Sequence, residues 1–290
     1  MDTLLVEAQE HRIAEVRKDF WVGYTTAKNI LADLDDLMNY PRKIRMPNLA
    51  IIGDTNNGKS FILDRFVAKH SKPFDPNEEN TTLPIVHIRL RAKADETRFY
   101  NAILSSLFAS GPDRESVDSK LDRIHRLLFQ LETQVLVVDE FQHSTCGTKS
   151  KIRELLNAVK NVGSDRKMSI VIGGTPEVLN ALSSDTQIEN RFIPRHLKRW
   201  CLDDEFLSLL VTIQIKLKLK KHYDLTDESI AKRLLILSGG IIGDLVDLLV
   251  YLAVHAIRTE AEAITEKMLN IEYLKQIGWT PPSQRTKYDR

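Results

Sequence analysis

Residues 53–60 limit the folds open to this chain more strongly than any other segment. They read Gly53-Asp-Thr-Asn-Asn-Gly-Lys-Ser60 and match the pattern G-x-x-x-x-G-K-[ST]. The segment follows Asn48–Ile52, an apolar run typical of a buried strand, and precedes Ser60–His70, which has helical spacing. A strand, a glycine-containing loop and a helix in this order direct main-chain N–H groups at phosphate oxygens. The sequence therefore predicts a nucleotide phosphate site.

The residue types in this loop suit phosphate chemistry. Gly53 and Gly58 allow the main chain to wrap closely around an anion, Lys59 places a cation on the β- and γ-phosphates, and the Ser60 hydroxyl is an oxygen ligand for Mg²⁺. A chance match is the alternative, but the flanking strand and helix are the context that the motif requires. The predicted nucleotide-binding residues are Gly53, Asp54, Thr55, Asn56, Asn57, Gly58, Lys59 and Ser60.

A second apolar run, Val135–Val138, ends in two carboxylates, Asp139 and Glu140. A buried parallel strand delivers such residues to its carboxyl end, where ligands of open α/β sheets lie. We predict that Asp139 serves Mg²⁺ and that Glu140 polarises a water for attack on the γ-phosphate. This pattern alone is often just a strand leading into a polar loop. Because Asp139 follows Lys59 by 80 residues, the pair indicates a hydrolase.

Two later segments carry further candidates for catalysis. Thr175 follows the apolar run Ser169–Ile172 and two glycines, and either orients the attacking water or caps the next helix; both readings stay open. The basic segment 189–199 suggests an arginine finger, which reaches the γ-phosphate of a neighbouring subunit. Arg191 is the first choice and Arg195 the second. A solvated charged face is the alternative interpretation.

Strands and helices alternate up to about residue 202, which predicts an α/β domain with a five-stranded, mostly parallel sheet. Its fifth strand is predicted at His196–Trp200, and only helices follow. The most apolar stretch, Ile241–Ile257, contains acidic residues, so it is predicted to be a buried helix and not a membrane span. The predicted divisions are an N-terminal helical extension at 1–47, a nucleotide-binding core at 48–202, a helical lid at 203–277 and a flexible tail at 278–290.

The charge balance excludes one class of protein. The chain has 41 Lys and Arg residues against 40 Asp and Glu residues, a formal net charge of +1. This balance argues against a wholly basic nucleic-acid binder but leaves room for a local basic patch.

The order of these motifs resembles the AAA+ ATPases, P-loop NTPases of the ASCE type in which a small all-helical lid follows the α/β core. Several stretches are also similar to the TniB family of transposition proteins, relatives of TnsC. The similarity extends from about residue 19 to about residue 250. The segments that carry it are Trp21-Val-Gly-Tyr24, Tyr40-Pro-Arg42, Arg45-Met-Pro-Asn-Leu49, Gly53-Asp-Thr-Asn-Asn-Gly-Lys59, Val138-Asp-Glu-Phe-Gln-His143 and Gly240-Ile-Ile-Gly-Asp244.

The resemblance implies an ATPase of the bacterial cytoplasm that uses ATP and Mg²⁺. Such a protein forms ATP-dependent ring or helical oligomers on duplex DNA and recruits or activates a DDE transposase, with a target-selector protein as another partner. The resemblance assigns ATP to the phosphate loop, Mg²⁺ to Asp139, catalysis to Glu140, a sensor role to Thr175 and the trans finger to Arg191. Trp21 and Tyr24 either pack near the adenine or attach the N-terminal helix to the core.

The resemblance also suggests where DNA binds. Relatives grip the DNA backbone from the region after the second strand, where Arg91, Lys93, Thr97 and Arg98 are the candidates for phosphate contacts. A charged loop is the alternative, because Asp95 and Glu96 interrupt the basic residues. No base-reading helix stands out, so we expect low sequence specificity.

One residue departs from the pattern of related ATPases. They often carry an arginine after Ile-Gly at the start of a lid helix, as a second nucleotide sensor, and here that position is Asp244. A carboxylate cannot pair with a phosphate. This departure motivates one alternative to the transposition regulator, a nucleotide-gated oligomeric adaptor with negligible hydrolysis. A second alternative is a helicase-loader or clamp-loader type of AAA+ ATPase, which shares the fold and the arginine finger.

Overall fold

The computed structural model describes residues 2–71, 82–109, 111–112, 115–144, 148–183 and 186–284. Contacts divide the chain into two units. One contains Thr26–Leu197, and the other contains Met1–Thr25 together with Lys198–Arg290. The first holds the sheet and the second is helical. The sequence analysis instead divides the chain into four parts, with residues 1–47 as a separate N-terminal extension. This four-part division stays a proposal.

The sheet of the first unit has five strands in the order β2-β3-β4-β1-β5, and every neighbouring pair is parallel. Strands β1, β3 and β4 are buried throughout. Because these strands are parallel, the phosphate loop after β1 and Asp139 at the end of β3 lie at the same edge of the sheet, where the strands have their carboxyl ends. One strand, β4, separates them. The strands are β1 (Asn48–Gly53), β2 (Ile85–Arg89), β3 (Val135–Asp139), β4 (Ser169–Gly174) and β5 (Phe192–Leu197).

Helices cover this sheet, and their apolar faces supply the first core. Phe66, Phe99 and Ile124, from three different helices, are each fully buried. The helices of this part of the chain are α2 (Thr25–Met38), α3 (Lys59–His70), α4 (Glu96–Ser106), α5 (Val117–Gln130), α6 (Lys149–Arg166), α7 (Glu177–Leu182) and α8 (Thr186–Glu189).

The fifth strand lies earlier in the chain than the sequence predicts. It runs from Phe192 to Leu197 and not from His196 to Trp200. Pro194 makes this strand hard to predict from the sequence, because a proline inside an apolar run usually argues against a strand. Among the described strands, β5 pairs with β1 alone, so it is an edge strand. There the missing N–H of Pro194 costs no ladder hydrogen bond.

The second unit packs five helices around its own core. They are α1 (Asp2–Val16), α9 (Asp204–Leu217), α10 (Glu228–Ser238), α11 (Ile242–Arg258) and α12 (Ile271–Gln276). Asn270 caps α12 by accepting a hydrogen bond from the Glu272 N–H at 2.8 Å. Among the described residues, no single helix is long and apolar enough to cross a membrane; only α10 with α11, bent by 117°, passes that test as a pair.

The N-terminal helix belongs to this helical unit by its contacts. The two terminal nitrogens of Arg12 donate to the two carboxylate oxygens of Glu262 at 2.6 and 2.8 Å. Gln9 donates to the Ile257 carbonyl at 2.7 Å. The predicted tail begins inside the same core, since Trp279 is buried, whereas residues 285–290 lie outside the described residues.

Candidate active site

The phosphate loop joins β1 to α3 through two left-handed residues. Asn56 has a φ of 61° and Gly58 a φ of 83°, and glycine adopts this region at little cost. The helix α3 begins at Lys59, directly after Gly58. The N-terminus of a helix favours an anion through its first main-chain N–H groups and the partial positive charge of the helix dipole.

Lys59 is buried within this loop, with only 5% of its surface exposed. Its Nζ donates to the carbonyl oxygens of Gly53 at 2.8 Å and of Asp54 at 2.6 Å. Burial lowers the pKa of Lys59 below its ordinary value, while the charges of Glu140, Asp139 and Asp54 act in the opposite direction. The sheet thus holds a cation beside the carboxylates that end β3.

The end of β5 supports the phosphate loop from the side. Asn57 is buried, and its Nδ2 donates to the Leu197 carbonyl at 2.8 Å. A Cβ atom at Gly53 would lie 2.9 Å from the Cβ of Leu197, so a side chain at position 53 would displace the loop. Of the other predicted loop residues, Thr55 is exposed, while Asp54 and Ser60 are partly buried.

Asp139 is fully buried at the end of β3. Its Oδ1 accepts a hydrogen bond from the Glu140 N–H at 2.8 Å. Its Oδ2 has no hydrogen-bond donor among the described residues, and the nearest cation is the Nε of Arg89 at 3.7 Å. A buried carboxylate oxygen without a donor is suited to a cation or to a metal-bound water.

The residues present fit Mg²⁺. The described chain contains no group of three or more His, Cys, Asp or Glu residues that could hold a metal by themselves. Mg²⁺ is commonly held by one or two protein oxygens, with nucleotide phosphates and waters completing its shell. Asp139 and Ser60 supply that number of protein oxygens.

Glu140 has a φ of 57°, which is uncommon for a residue with a side chain. Its Oε2 accepts a hydrogen bond from the Nε2 of Gln142 at 2.5 Å, and the Nε2 of His143 lies 3.7 Å away. Its side chain is 38% exposed. The Glu140 carboxylate is therefore within reach of water, whereas Asp139 is buried.

Thr175 follows β4 and lies directly before Pro176, the N-cap residue of α7. It does not occupy the cap position itself. Its hydroxyl donates to the Glu177 carboxylate and so lowers the pKa of Glu177. The same carboxylate is close enough to Asp54 to sense its charge, so the end of β4 lies beside the phosphate loop.

Arg191 lies at the opposite edge of the sheet, where the strands have their amino ends. It precedes β5, and its carbonyl accepts a hydrogen bond from the Asn48 N–H at the start of β1. Strands β1 and β5 pair in parallel from Asn48 and Phe192 to Gly53 and Leu197. Five steps of about 3.3 Å separate the two edges by roughly 17 Å, more than an arginine side chain spans. Arg191 therefore cannot reach the phosphate loop of its own chain.

Arg195, the second finger candidate, lies within β5. Its Nε donates to the Asp33 Oδ2 of α2 at 2.5 Å, and this bond raises the pKa of Arg195. The structure thus gives Arg195 a carboxylate partner inside its own chain.

The candidate DNA contacts follow β2 at the same edge as the phosphate loop. Arg91, Lys93, Thr97 and Arg98 are all exposed. Arg98 is held by the loop itself, since its Nη1 donates to the Lys93 carbonyl at 2.6 Å. Asp95 caps α4 by accepting from the Arg98 N–H at 2.9 Å. This acidic residue is thus part of the helix start.

Sequence reasoning missed residues that shape the site from other elements. Arg89 ends β2 beside Asp139 and donates to Asp64 of α3 at 2.7 Å. Gly173 leaves room for the Asp139 side chain, because a Cβ there would lie 2.8 Å from its Oδ1. The two glycines after Ile172 are a sequence signal for the space beside Asp139. No local pattern in the sequence indicates the position of Arg89.

Two further residues of the sequence analysis lie in the helical unit. Asp244 is buried in the first turn of α11, where a carboxylate is favourable to the helix dipole. The Tyr24 ring lies edge-on to Trp200 with centroids 5.0 Å apart, and burial raises the pKa of Tyr24 to about 12. This contact agrees with a packing role for Tyr24.

Solved structures of other proteins share the fold of this chain. The Cdc6p protein of Pyrobaculum aerophilum is 19% identical over 90% of this chain and 70% of that chain, with a TM-score of 0.62. The Aeropyrum pernix ORC1 protein, solved in complex with DNA, is 15% identical over 91% and 69%, with a TM-score of 0.64. The ORC2 protein of the same organism, solved as ADPNP-ADP complexes, is 11% identical over 96% and 73%, also at 0.64.

The strand order and the loop after β1 define a P-loop ATPase fold of the AAA+ class, as the sequence predicts. Residues 12–202 match the family described as Bacterial TniB protein, and the chain belongs to that family. This confirms the resemblance noted from the sequence. No curated protein matches the sequence.

Proposed function

We propose that this protein is an ATP-dependent, DNA-binding AAA+ regulator of DNA transposition that oligomerises on duplex DNA. In this role it hydrolyses ATP with Mg²⁺ and recruits or activates a DDE transposase, and a target-selector protein is a further partner. The membership in the TniB family supports the transposition context. The DNA complex solved for the ORC1 protein supports a DNA role for the shared fold.

One observation carries the proposal: the candidate nucleotide site is divided between the two edges of the sheet. The phosphate loop, Asp139, Glu140 and Thr175 lie at the carboxyl edge, and Arg191 lies at the other. If Arg191 acts on a γ-phosphate, that phosphate must then be bound by a second copy of the chain. A site completed between subunits links ATP binding to self-association.

The roles follow from the chemistry of each group. The loop N–H groups and Lys59 bind the phosphates. Ser60 and Asp139 would hold Mg²⁺, which would supply positive charge to neutralise the phosphates. Glu140 orients and deprotonates the attacking water. Thr175 contacts the γ-phosphate or this water, and Arg191 of the next subunit stabilises the transition-state charge.

The test combines the purified chain with duplex DNA, Mg²⁺ and a non-hydrolysable ATP analogue, followed by electron microscopy. We expect rings or helical filaments on DNA, and none with Lys59→Ala. A chain that stays monomeric under these conditions contradicts the proposal. Capture of a transposase or of a helicase by the assembled protein separates transposition from helicase loading.

Asp244 favours a second function, a nucleotide-gated adaptor with negligible hydrolysis. Its carboxylate occupies the position where related ATPases often place a phosphate-sensing arginine. Comparison of wild-type turnover with that of Glu140→Gln, with and without DNA, separates the two functions. Equal turnover in both proteins, together with assembly on DNA, identifies the adaptor.

A further inference from the structure

A serine of α6 holds the side chain of Arg191. The Nη1 of Arg191 donates to the Oγ of Ser164 at 2.8 Å, although the two residues are 27 positions apart. We propose that Ser164 is a positioning residue that fixes the Arg191 guanidinium for the nucleotide of a neighbouring subunit. This inference rests on the proposed trans role of Arg191, and it assigns to Ser164 a role in that same shared site.

The surrounding fold brings Ser164 to this position. At Gly163, a Cβ would lie 2.7 Å from the Cδ1 of Ile170, so the missing side chain lets α6 lie close against β4. The main chain of Arg191 is fixed independently, since Asn48 donates to its carbonyl at 3.3 Å and it donates to the Ile188 carbonyl at 2.9 Å. Both ends of the arginine are therefore held before any partner arrives.

The chemistry of the acceptor suits a finger. A hydroxyl accepts one hydrogen bond from a guanidinium, which has five N–H donors, and it leaves the positive charge uncompensated. Arg195 is the contrast, because it donates to the Asp33 carboxylate, which offsets its charge. A neutral partner thus orients Arg191 while preserving the charge that stabilises a phosphoryl transition state.

The side chain of Arg191 also borders open space. Its side chain and Ser164 line a small cavity with Met46, Ile188 and Phe192. An unrestrained arginine loses much rotamer freedom when it engages a phosphate. A hydrogen bond formed in advance removes part of that loss, which raises the rate of the chemical step more than ATP affinity.

The test uses two inactive subunits that complement each other. Glu140→Gln supplies Arg191 but cannot hydrolyse, and Arg191→Ala supplies an intact phosphate site without a finger. Their mixture on duplex DNA with ATP and Mg²⁺ should recover turnover. Ser164→Ala is then added to one subunit at a time. In the finger-donating subunit we expect about a tenfold lower kcat with an unchanged KM for ATP.

The controls separate positioning from folding. Ser164→Ala in the Arg191→Ala subunit should change nothing, and Ser164→Thr in the donor should restore turnover, because it keeps the hydroxyl. Ser150→Ala is the matched change on the same helix, where the serine hydroxyl donates to the Glu154 carboxylate. An equal loss in both subunits, or no loss in the donor, overturns the inference.

Failure of the proposed function gives a different result. If the mixture without any change at Ser164 recovers no turnover, Arg191 does not act between subunits, and the inference falls with that role. If the mixture is active and Ser164→Ala in the donor is also fully active, the trans finger stands and only the role of Ser164 is wrong.

Discussion

The main-chain N–H of Glu140 donates a hydrogen bond to the Oδ1 of Asp139 at 2.8 Å. This bond engages one oxygen of the buried carboxylate, while its Oδ2 has no donor among the described residues and the Glu140 side chain is partly exposed. Two adjacent carboxylates therefore occupy different environments. Such a separation allows one to serve a metal ion and the other to handle a proton.

Glu140→Gln should lower ATP turnover by about 10²–10⁴-fold, because the amide cannot accept the proton of the attacking water. It retains the size of the side chain and the site of the Gln142 hydrogen bond. ATP affinity, measured by equilibrium binding, should stay within a few-fold of wild type. A variant that hydrolyses ATP at the wild-type rate contradicts the assignment of Glu140 as the base.

Lys59→Ala should abolish ATP binding and ATP-dependent assembly while the fold remains. The ammonium is the cation nearest the predicted phosphates, and its removal leaves the Gly53 and Asp54 carbonyls without this donor. We expect a stability loss of about 1–2 kcal/mol by denaturant unfolding. Lys232→Ala, an exposed lysine of α10, is the control for loss of charge. Retained ATP binding contradicts the phosphate-loop assignment.

The same lysine predicts a pH dependence. Because burial lowers the pKa of Lys59 below 10.5, the free protein loses this cation at a lower pH than an exposed lysine does. The midpoint of the alkaline fall in ATP affinity should accordingly lie below pH 10.5. Titration calorimetry across this range measures the midpoint, and a midpoint at or above 10.5 rules the effect out.

Gly173→Ala should weaken Mg²⁺-dependent nucleotide binding, because the new methyl group meets Asp139 Oδ1 and Leu63 Cδ1, each at 2.8 Å. Overpacking of this kind costs about 1–3 kcal/mol of stability. Gly163→Ala is the matched control, since it crowds Ile170 at the other edge of the sheet. Comparable destabilisation with equal nucleotide binding in both variants contradicts the role of Gly173.

Arg91→Gln combined with Lys93→Gln should weaken duplex DNA binding without a change in sequence preference. Each lost phosphate contact reduces the slope of log affinity against log salt by about 0.9, so we expect a change of about 2. Lys216→Gln with Lys232→Gln makes the same charge change in the helical unit. If both pairs weaken binding equally, only net charge matters and the assigned loop is wrong.

The Arg12–Glu262 pair predicts an acid-dependent stability. Arg12 lowers the pKa of Glu262 below its ordinary 4.5, chiefly through their hydrogen bonds. The contribution is therefore fully present above about 4.5 and is lost as the pH falls through the depressed pKa. Glu262→Gln should cost about 1–3 kcal/mol at neutral pH and less near pH 4. Denaturant unfolding at several pH values checks this, and a pH-independent difference contradicts it.

The sequence alone determined the parts of this protein that depend on local order. The loop 53–60 needs a strand before it and a helix after it, so its neighbours could be predicted from the same pattern. Likewise, Asp139 and Glu140 follow an apolar run, and a buried parallel strand places such residues at the ligand edge of the sheet. These features are encoded within a few residues of each other.

The tertiary structure decided what depends on distant residues. Strand β5 forms across Pro194 because its edge position tolerates a missing N–H, and α1 joins the other helices of the second unit through the Arg12–Glu262 pair. Arg191 could be proposed from sequence as a finger, but only the parallel register of β1 and β5 shows that it lies away from its own phosphate loop. Its contact with Ser164 arises because α6 packs against β4, and packing between separate elements leaves no periodic signal in the chain.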